Sequence, residues 1–161
     1  MDLVALQKRM EGCPCGKTHV CDLKALEVAH GNLARTGELL KKYNFPTHIL
    51  LVADKNSFMV TSGLTESLLK EGFLVQMRVY DDMKIARMEE VEEIKAMCAN
   101  VDGVLSVGTG SVNDICRYGS FLAGKPPYSQ PRLLWTDLLP TARPSSSTDL
   151  KSPASAISRR L

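Results

Sequence analysis

The stretch richest in chemical meaning is Gly108-Thr109-Gly110-Ser111-Val112-Asn113-Asp114. It follows Val104-Leu105-Ser106-Val107, an apolar run suited to a strand, and leads into a helical pattern that reaches Ala123. A strand that delivers the chain into Gly-x-Gly and then a helix lets the backbone approach a ligand closely. The helix N-terminus then offers free N–H groups and a partial positive charge to a phosphate. Ser111 adds a hydroxyl donor, and Asp114 is expected inside the first helical turn, where it complements the dipole. The spacing is Gly-x-Gly-x-x-Asn, which is neither the dinucleotide fingerprint nor the nucleoside-triphosphate loop. On spacing alone, a tight turn needing two flexible residues accounts for it equally well.

Asp54 stands directly after a second apolar run, His48-Ile49-Leu50-Leu51-Val52-Ala53. In open parallel sheets ligands lie beyond the carboxyl ends of strands, where an acidic residue can accept hydrogen bonds from a ribose diol. The plainer reading is favoured: Asp54-Lys55-Asn56-Ser57 turns the chain and caps the next helix. Cys13, Cys15, His19 and Cys21 put four soft ligands within nine residues. One short loop rarely wraps a tetrahedral ion, so a turn with reduced thiols is favoured over a zinc site. His30 and His48 are isolated, and His48 reads as a satisfied core histidine. No Ser/His/Asp order, His-Glu-x-x-His or paired-carboxylate arrangement can be assembled, so no residue is given a catalytic role.

Elements able to position these residues can be read along the chain. Residues 2–11 suit a short amphipathic helix with Leu3, Leu6 and Met10 on one side, followed by a turn over Cys13–His19. Val20–Val28 is a weak strand candidate, interrupted by Lys24 and Glu27. Gly31 breaks the chain before a helix over about Leu33–Tyr43. The 48–53 run suits a strand buried on both faces of a parallel sheet. A helix is expected over roughly Phe58–Glu71, stopped by Gly72, then a strand over Phe73–Tyr80 and a helix over Met88–Cys98. Strands alternating with helices of this length predict an α/β fold, a parallel sheet with helices on both faces.

Composition narrows the function classes. Residues 1–125 carry 15 Lys+Arg against 16 Asp+Glu, so they lack the basic footprint of a nucleic-acid binder. No apolar run approaches the ~20 residues of a membrane span, and the N-terminus does not read as a secretory signal. Five cysteines, an odd number, suit reduced thiols in the cytoplasm. The oligomeric state is left open. From Pro126 the character changes: six of the eight prolines and the only tryptophan lie in 126–161, without a periodic apolar face. The expected organisation is an incomplete α/β domain over 1–125 and an unstructured tail over 126–161.

Four segments together resemble the sn-glycerol-1-phosphate dehydrogenases, in the superfamily shared with 3-dehydroquinate synthase, glycerol dehydrogenase and iron-containing alcohol dehydrogenases. They are Cys13–His19, Leu50–Asn56, Val107–Arg117 and Gly124-Lys125-Pro126, and the third is the most specific. The resemblance covers residues 13–126 and implies a dehydroquinate synthase-like nucleotide-binding domain. It implies that the Gly108, Thr109, Gly110, Ser111 and Val112 turn holds the pyrophosphate of NAD or NADP, and that Asp54 meets the adenosine ribose. The family reaction interconverts sn-glycerol 1-phosphate and dihydroxyacetone phosphate by hydride transfer, with a divalent metal on an acidic residue and two histidines as the Lewis acid.

The resemblance stops abruptly after Gly-Lys-Pro. There the family continues with a segment like Thr-Ala-Pro-Ser-Met-Asp-Gly-Phe-Ala-Ser-Asp. Back-translating Leu134–Lys151, and starting each codon on the last base of the preceding one, permits Met-Asp-Gly-Leu-Ala-Ser-Asp-Ser-Ala-Pro-Ile-Val-Val-Asp-Gly-Phe-Lys. The expectation is therefore a frame change or a misassigned exon junction beyond about Lys125. The metal ligands would then be missing from this chain, leaving it inactive, with a partner-binding tail as the alternative reading.

Overall fold

The computed structural model describes residues 3–11, 13–17, 19 and 25–124. The tail expected over 126–161, and Val20–Lys24 of the weak strand candidate, lie outside the described residues. The fold is built around strand β1 (His48–Asp54), whose residues Ile49–Ala53 have no solvent exposure. Strands β2 (Leu74–Tyr80) and β3 (Gly103–Val107) pair with it, both parallel, in the order β2-β1-β3. In register, Ile49 lies between Val75 and Gly103, Ala53 lies between Val79 and Val107, and Asp54 pairs with Tyr80.

The helices follow in chain order: α1 (Leu3–Glu11), α2 (Thr36–Lys42), α3 (Lys55–Met59), α4 (Leu64–Lys70), α5 (Met88–Met97) and α6 (Gly110–Leu122). Because side chains alternate along a strand, β1 feeds two separate cores. Ile49, Leu51 and Ala53 pack with Leu40, Leu64, Leu68 and Phe73 of the α2/α4 side. Leu50 and Val52 pack with Val91, Ile94, Val112 and Ile115 of the α5/α6 side. The expected α/β architecture, with helices on both faces of a parallel sheet, is what forms.

Two helices leave by the same device. Asn44 (φ 54°) follows α2, and its N–H donates to Lys41 O while that of Phe45 reaches Leu40 O. Gly72 (φ 77°) follows α4, and its N–H donates to Leu69 O while that of Phe73 reaches Leu68 O. Each is a Schellman stop that buries a phenylalanine just before a strand. Gly124 (φ 65°), with its N–H on Phe121 O, ends α6 in the same conformation.

Several expectations need correction. The helix read over Phe58–Glu71 is two helices, because the Thr61 hydroxyl takes the Phe58 carbonyl at 2.7 Å and Gly63 adopts φ 84°. Residues 25–29 form no strand. Instead, Glu27 turns back to accept from Tyr43 Oη and, at 3.0 Å, from Lys42 Nζ; those contacts, Tyr43 first, hold its carboxyl below the usual range. The Leu33–Tyr43 helix begins as a 3-10 turn, Asn32–Arg35, before α2. His48 is exposed, not in the core, because it is the first residue of β1 at the amino edge of the sheet.

Close packing of the helix pairs rests on two glycines. A Cβ on Gly37 of α2 would lie 2.3 Å from the Ser67 carbonyl of α4, and one on Gly119 of α6 would lie 2.8 Å from Ile94 Cγ2 of α5. Gly37→Ala and Gly119→Ala are each expected to destabilise the protein by about 1–3 kcal/mol, read from urea midpoints. The sites lie on opposite faces of the sheet, so the double variant should equal the sum within about 0.5 kcal/mol.

Candidate nucleotide site at the carboxyl edge of the sheet

The chain winds from β1 through α3 and α4 to β2 on one face, then from β2 through α5 to β3 on the other. That reversal makes the crevice between the carboxyl ends of β1 and β3 a topological switch point, where ligands bind in open α/β sheets. Asp54 is the last residue of β1, and Gly108 directly follows β3. The structure brings these two sequence-derived candidates together: a Cβ on Gly108 would sit 2.8 Å from Asp54 Oδ2 and 3.0 Å from Ser57 Oγ. Gly108 has φ 145°, a conformation that side-chain-bearing residues rarely adopt.

Asp54 is only 4% exposed and is the N-cap of α3. Its Oδ1 accepts from the Ser57 N–H at 3.0 Å and its Oδ2 from the Ser57 hydroxyl at 2.7 Å. The capping role favoured by the sequence is therefore present. The same hydrogen bonds lock the floor on which the Gly108 turn rests.

The turn itself divides into unequal parts. Gly108, Thr109 and Gly110 are all exposed, while Val112 has no exposed surface, backbone included, and anchors the start of α6 in the core. Thr109 is the N-cap of α6 but its side chain makes no capping bond. Among the described residues, the N–H groups of Gly110, Ser111 and Val112 meet no acceptor. A Cβ on Gly110 would meet nothing within 4 Å, so open space lies over the helix end. Of the two glycines, Gly108 meets a conformational demand and Gly110 leaves room.

Two expectations about this turn change. Asp114 lies beyond the first turn, because α6 begins at Gly110, and no acidic residue occupies that turn. The Ser111 hydroxyl is engaged with the Lys84 carbonyl at 3.1 Å. That contact brings the loop between β2 and α5 to the helix end, a placement sequence reasoning missed. A partner 27 residues away leaves no local signal. Ser106, also missed, donates its hydroxyl to Asn113 Oδ1 at 3.4 Å and so ties β3 to the start of α6. Asn113 itself was marked in the sequence by its fixed offset from the glycines.

Residues of the cysteine cluster come together elsewhere. The Cys13 and Cys15 sulfurs are 3.3 Å apart, and Cys15 Sγ is 2.9 Å from His19 Nε2. Hydrogen bonds from Cys15, its backbone first, hold the Cys13 thiol below its ordinary range. Cys21 lies outside the described residues. Cys116 contrasts with this pair, since burial, and then Cys98 beside it, push its thiol well above the ordinary range.

An NAD(P) pyrophosphate fits the switch point: free N–H donors, a positive helix end and unfilled space over Gly110 coincide there. The family's divalent metal does not fit. Among the described residues, the one converging set of three His, Cys, Asp or Glu side chains is Cys13, Cys15 and His19, which is not an acidic residue with two histidines.

Residues 27–131 match the family model described as iron-containing alcohol dehydrogenase. A search of curated proteins gives no match. Among solved structures, an iron-containing alcohol dehydrogenase from Thermococcus thioreducens is similar with a TM-score of 0.53 at 19% identity, over 63% of this chain and 27% of that one. An NADH-dependent butanol dehydrogenase A from Thermotoga maritima is similar with a TM-score of 0.55 at 20% identity, over 65% of this chain and 27% of that one. The chain thus spans about a quarter of the length of these structures, and the likeness is one of fold.

The division of labour between the glycines is testable. Gly108→Ala is expected to cost about 1–3 kcal/mol through strain and contact with Asp54. Gly110→Ala should be neutral or stabilising by up to about 1 kcal/mol. Equal losses in the urea midpoint would refute this assignment.

Proposed function

The chain belongs to the iron-containing alcohol dehydrogenase family, and from that premise we propose that residues 1–125 are the NAD(P)-binding part of a glycerol-1-phosphate dehydrogenase. The observation that carries the reading is the opening of α6 at the switch point, where open space lies over Gly110, its N–H and that of Ser111 meet no acceptor among the described residues, and the adjoining Gly108 packs over the Asp54 carboxyl. The backbone N–H groups of Gly110 and Ser111 take the pyrophosphate, Val112 anchors the helix end from the core, and Gly108 and Thr109 shape the approach. Asp54 holds the turn through Ser57 and presents its remaining lone pairs toward the adenosine ribose. The Gly-Thr-Gly-Ser-Val-Asn-Asp-Ile sequence of this turn favours the glycerol-1-phosphate branch over others of the family.

In the whole family enzyme, bound NAD(P) supplies or accepts the hydride exchanged with dihydroxyacetone phosphate or sn-glycerol 1-phosphate. This chain's own contribution is to bind and orient the adenine half of the cofactor. No hydride-transfer step is assigned to it, because the described residues hold no ligand set for the family metal. We therefore propose that the 161-residue chain binds dinucleotide weakly and turns over no substrate. We further propose a frame change in the coding sequence: the family match ends at residue 131, and the shifted frame of the following Leu134–Lys151 window permits the family's next motif.

NADH and NADPH fluorescence titrations of the full chain test the cofactor assignment. Saturable binding is expected, and Gly110→Val, which fills the open space, should weaken it more than about tenfold with the circular dichroism spectrum unchanged. Binding that is absent, or indifferent to that variant, defeats the proposal.

Sequencing the locus and transcript across the codons for Gly124–Thr136 tests the second part. A one-nucleotide correction should restore Met-Asp-Gly-Leu-Ala-Ser-Asp, and the corrected protein should then reduce dihydroxyacetone phosphate. An intact frame that is translated as given removes this part of the reading.

A further inference from the structure

Cys13, Cys15 and His19 belong to the stretch of chain that follows α1, and nothing in the nucleotide-binding reading uses them. Their ligand atoms all lie within 4.8 Å of one another, with His19 and Cys13 half-buried and Cys15 exposed. A short loop generally fails to wrap a metal because successive side chains diverge. Here the chain is turned back within that loop. Cys13 is anchored by its N–H on Met10 O at the end of α1, Pro14 and Cys15 form a turn, and Gly16 adopts φ 70°. The reversal swings His19 over Cys15, so that its Nε2 approaches the sulfur to 2.9 Å.

These dimensions suit a tetrahedral centre. Two thiolates at about 2.3 Å from zinc stand about 3.8 Å apart, and an imidazole nitrogen at about 2.1 Å stands at a similar separation from each. The Cys13–Cys15 separation of 3.3 Å needs only a small opening to admit the ion. Two sulfurs and one imidazole select a soft or borderline ion such as zinc over magnesium or calcium, which prefer oxygen. We propose that Cys13, Cys15 and His19 form a zinc site with three protein ligands and an open fourth position, distinct in place and donor type from the metal of the family reaction. The exposure of Cys15 leaves the fourth position accessible to water or to an external thiol or imidazole.

The test uses the reduced, metal-free 161-residue chain, titrated with Co2+ and then Zn2+. A thiolate–cobalt charge-transfer band should saturate at about one equivalent and disappear as zinc displaces cobalt. Cys13→Ser with Cys15→Ser should abolish the band, and His19→Ala should weaken binding by more than about tenfold. Cys98→Ser with Cys116→Ser should leave it unchanged, because those thiols are buried on the α5/α6 side of the sheet. Circular dichroism on every variant separates a lost site from a lost fold. The absence of a thiolate band in the wild-type chain overturns the proposal, as does a band that survives the Cys13/Cys15 double substitution.

Discussion

Everything in this fold follows from the burial of β1 on both faces. Ile49–Ala53 are removed from water completely, and each large apolar side chain so buried contributes about 1.5–3 kcal/mol. The ion pairs are much weaker by comparison: Arg35–Glu38 and Lys84–Asp82 are solvent-exposed, and such pairs contribute at most about 1 kcal/mol. A strand covered on both faces needs helices on both, so the chain must cross from one side to the other between β2 and β3. That crossing creates the switch point, and Asp54, the first polar residue after the apolar run, lies at its edge. The position of the candidate site is thus a consequence of where the hydrophobic run ends.

The second constraint is how helices hand over to strands. After α2 and α4 a left-handed residue reverses the chain and a phenylalanine is driven into the core, Phe45 against Leu40 and Phe73 against Leu68. The hydrogen bonds satisfy the last helical carbonyls, and the aromatic ring fixes the angle at which the strand begins. Both phenylalanines belong to the core beneath Ala53 and Val107, the strand ends that carry Asp54 and Gly108. Packing at the helix exits therefore helps hold the two halves of the crevice in register.

Much of this could be read from the sequence because it is local. Unbroken Ile49–Ala53 announced a doubly buried strand, Gly72 announced a helix stop, and Gly108–Gly110 after Val107 announced a turn into a helix. What escaped depends on partners distant in sequence or on competition between neighbours. The Thr61 hydroxyl competes for the Phe58 carbonyl and splits a helix whose apolar periodicity looked continuous. Asn44 performs the role of a glycine, which its residue type hides. Glu27 looked like a flaw in a strand, but its carboxylate is a tether to the end of α2. His48 follows the apolar pattern in sequence, yet it emerges at the rim because strands begin outside the core.

Nucleotide recognition and redox chemistry place different demands on a chain. Holding a pyrophosphate requires backbone donors, a helix end and absent side chains, all of which a single strand–turn–helix supplies. These groups are fixed by the same packing that buries Val107 and Val112, so they form whenever the sheet forms. Hydride transfer with a Lewis-acid metal requires several side chains brought from separate elements to within a few tenths of an ångström. The strand–turn–helix of Gly103–Leu122, on the floor that Asp54 and Ser57 provide, has the form that the first demand calls for. Near the turn, Asp54, Ser57 and Ser111 already make hydrogen bonds that hold the loop and helix ends together.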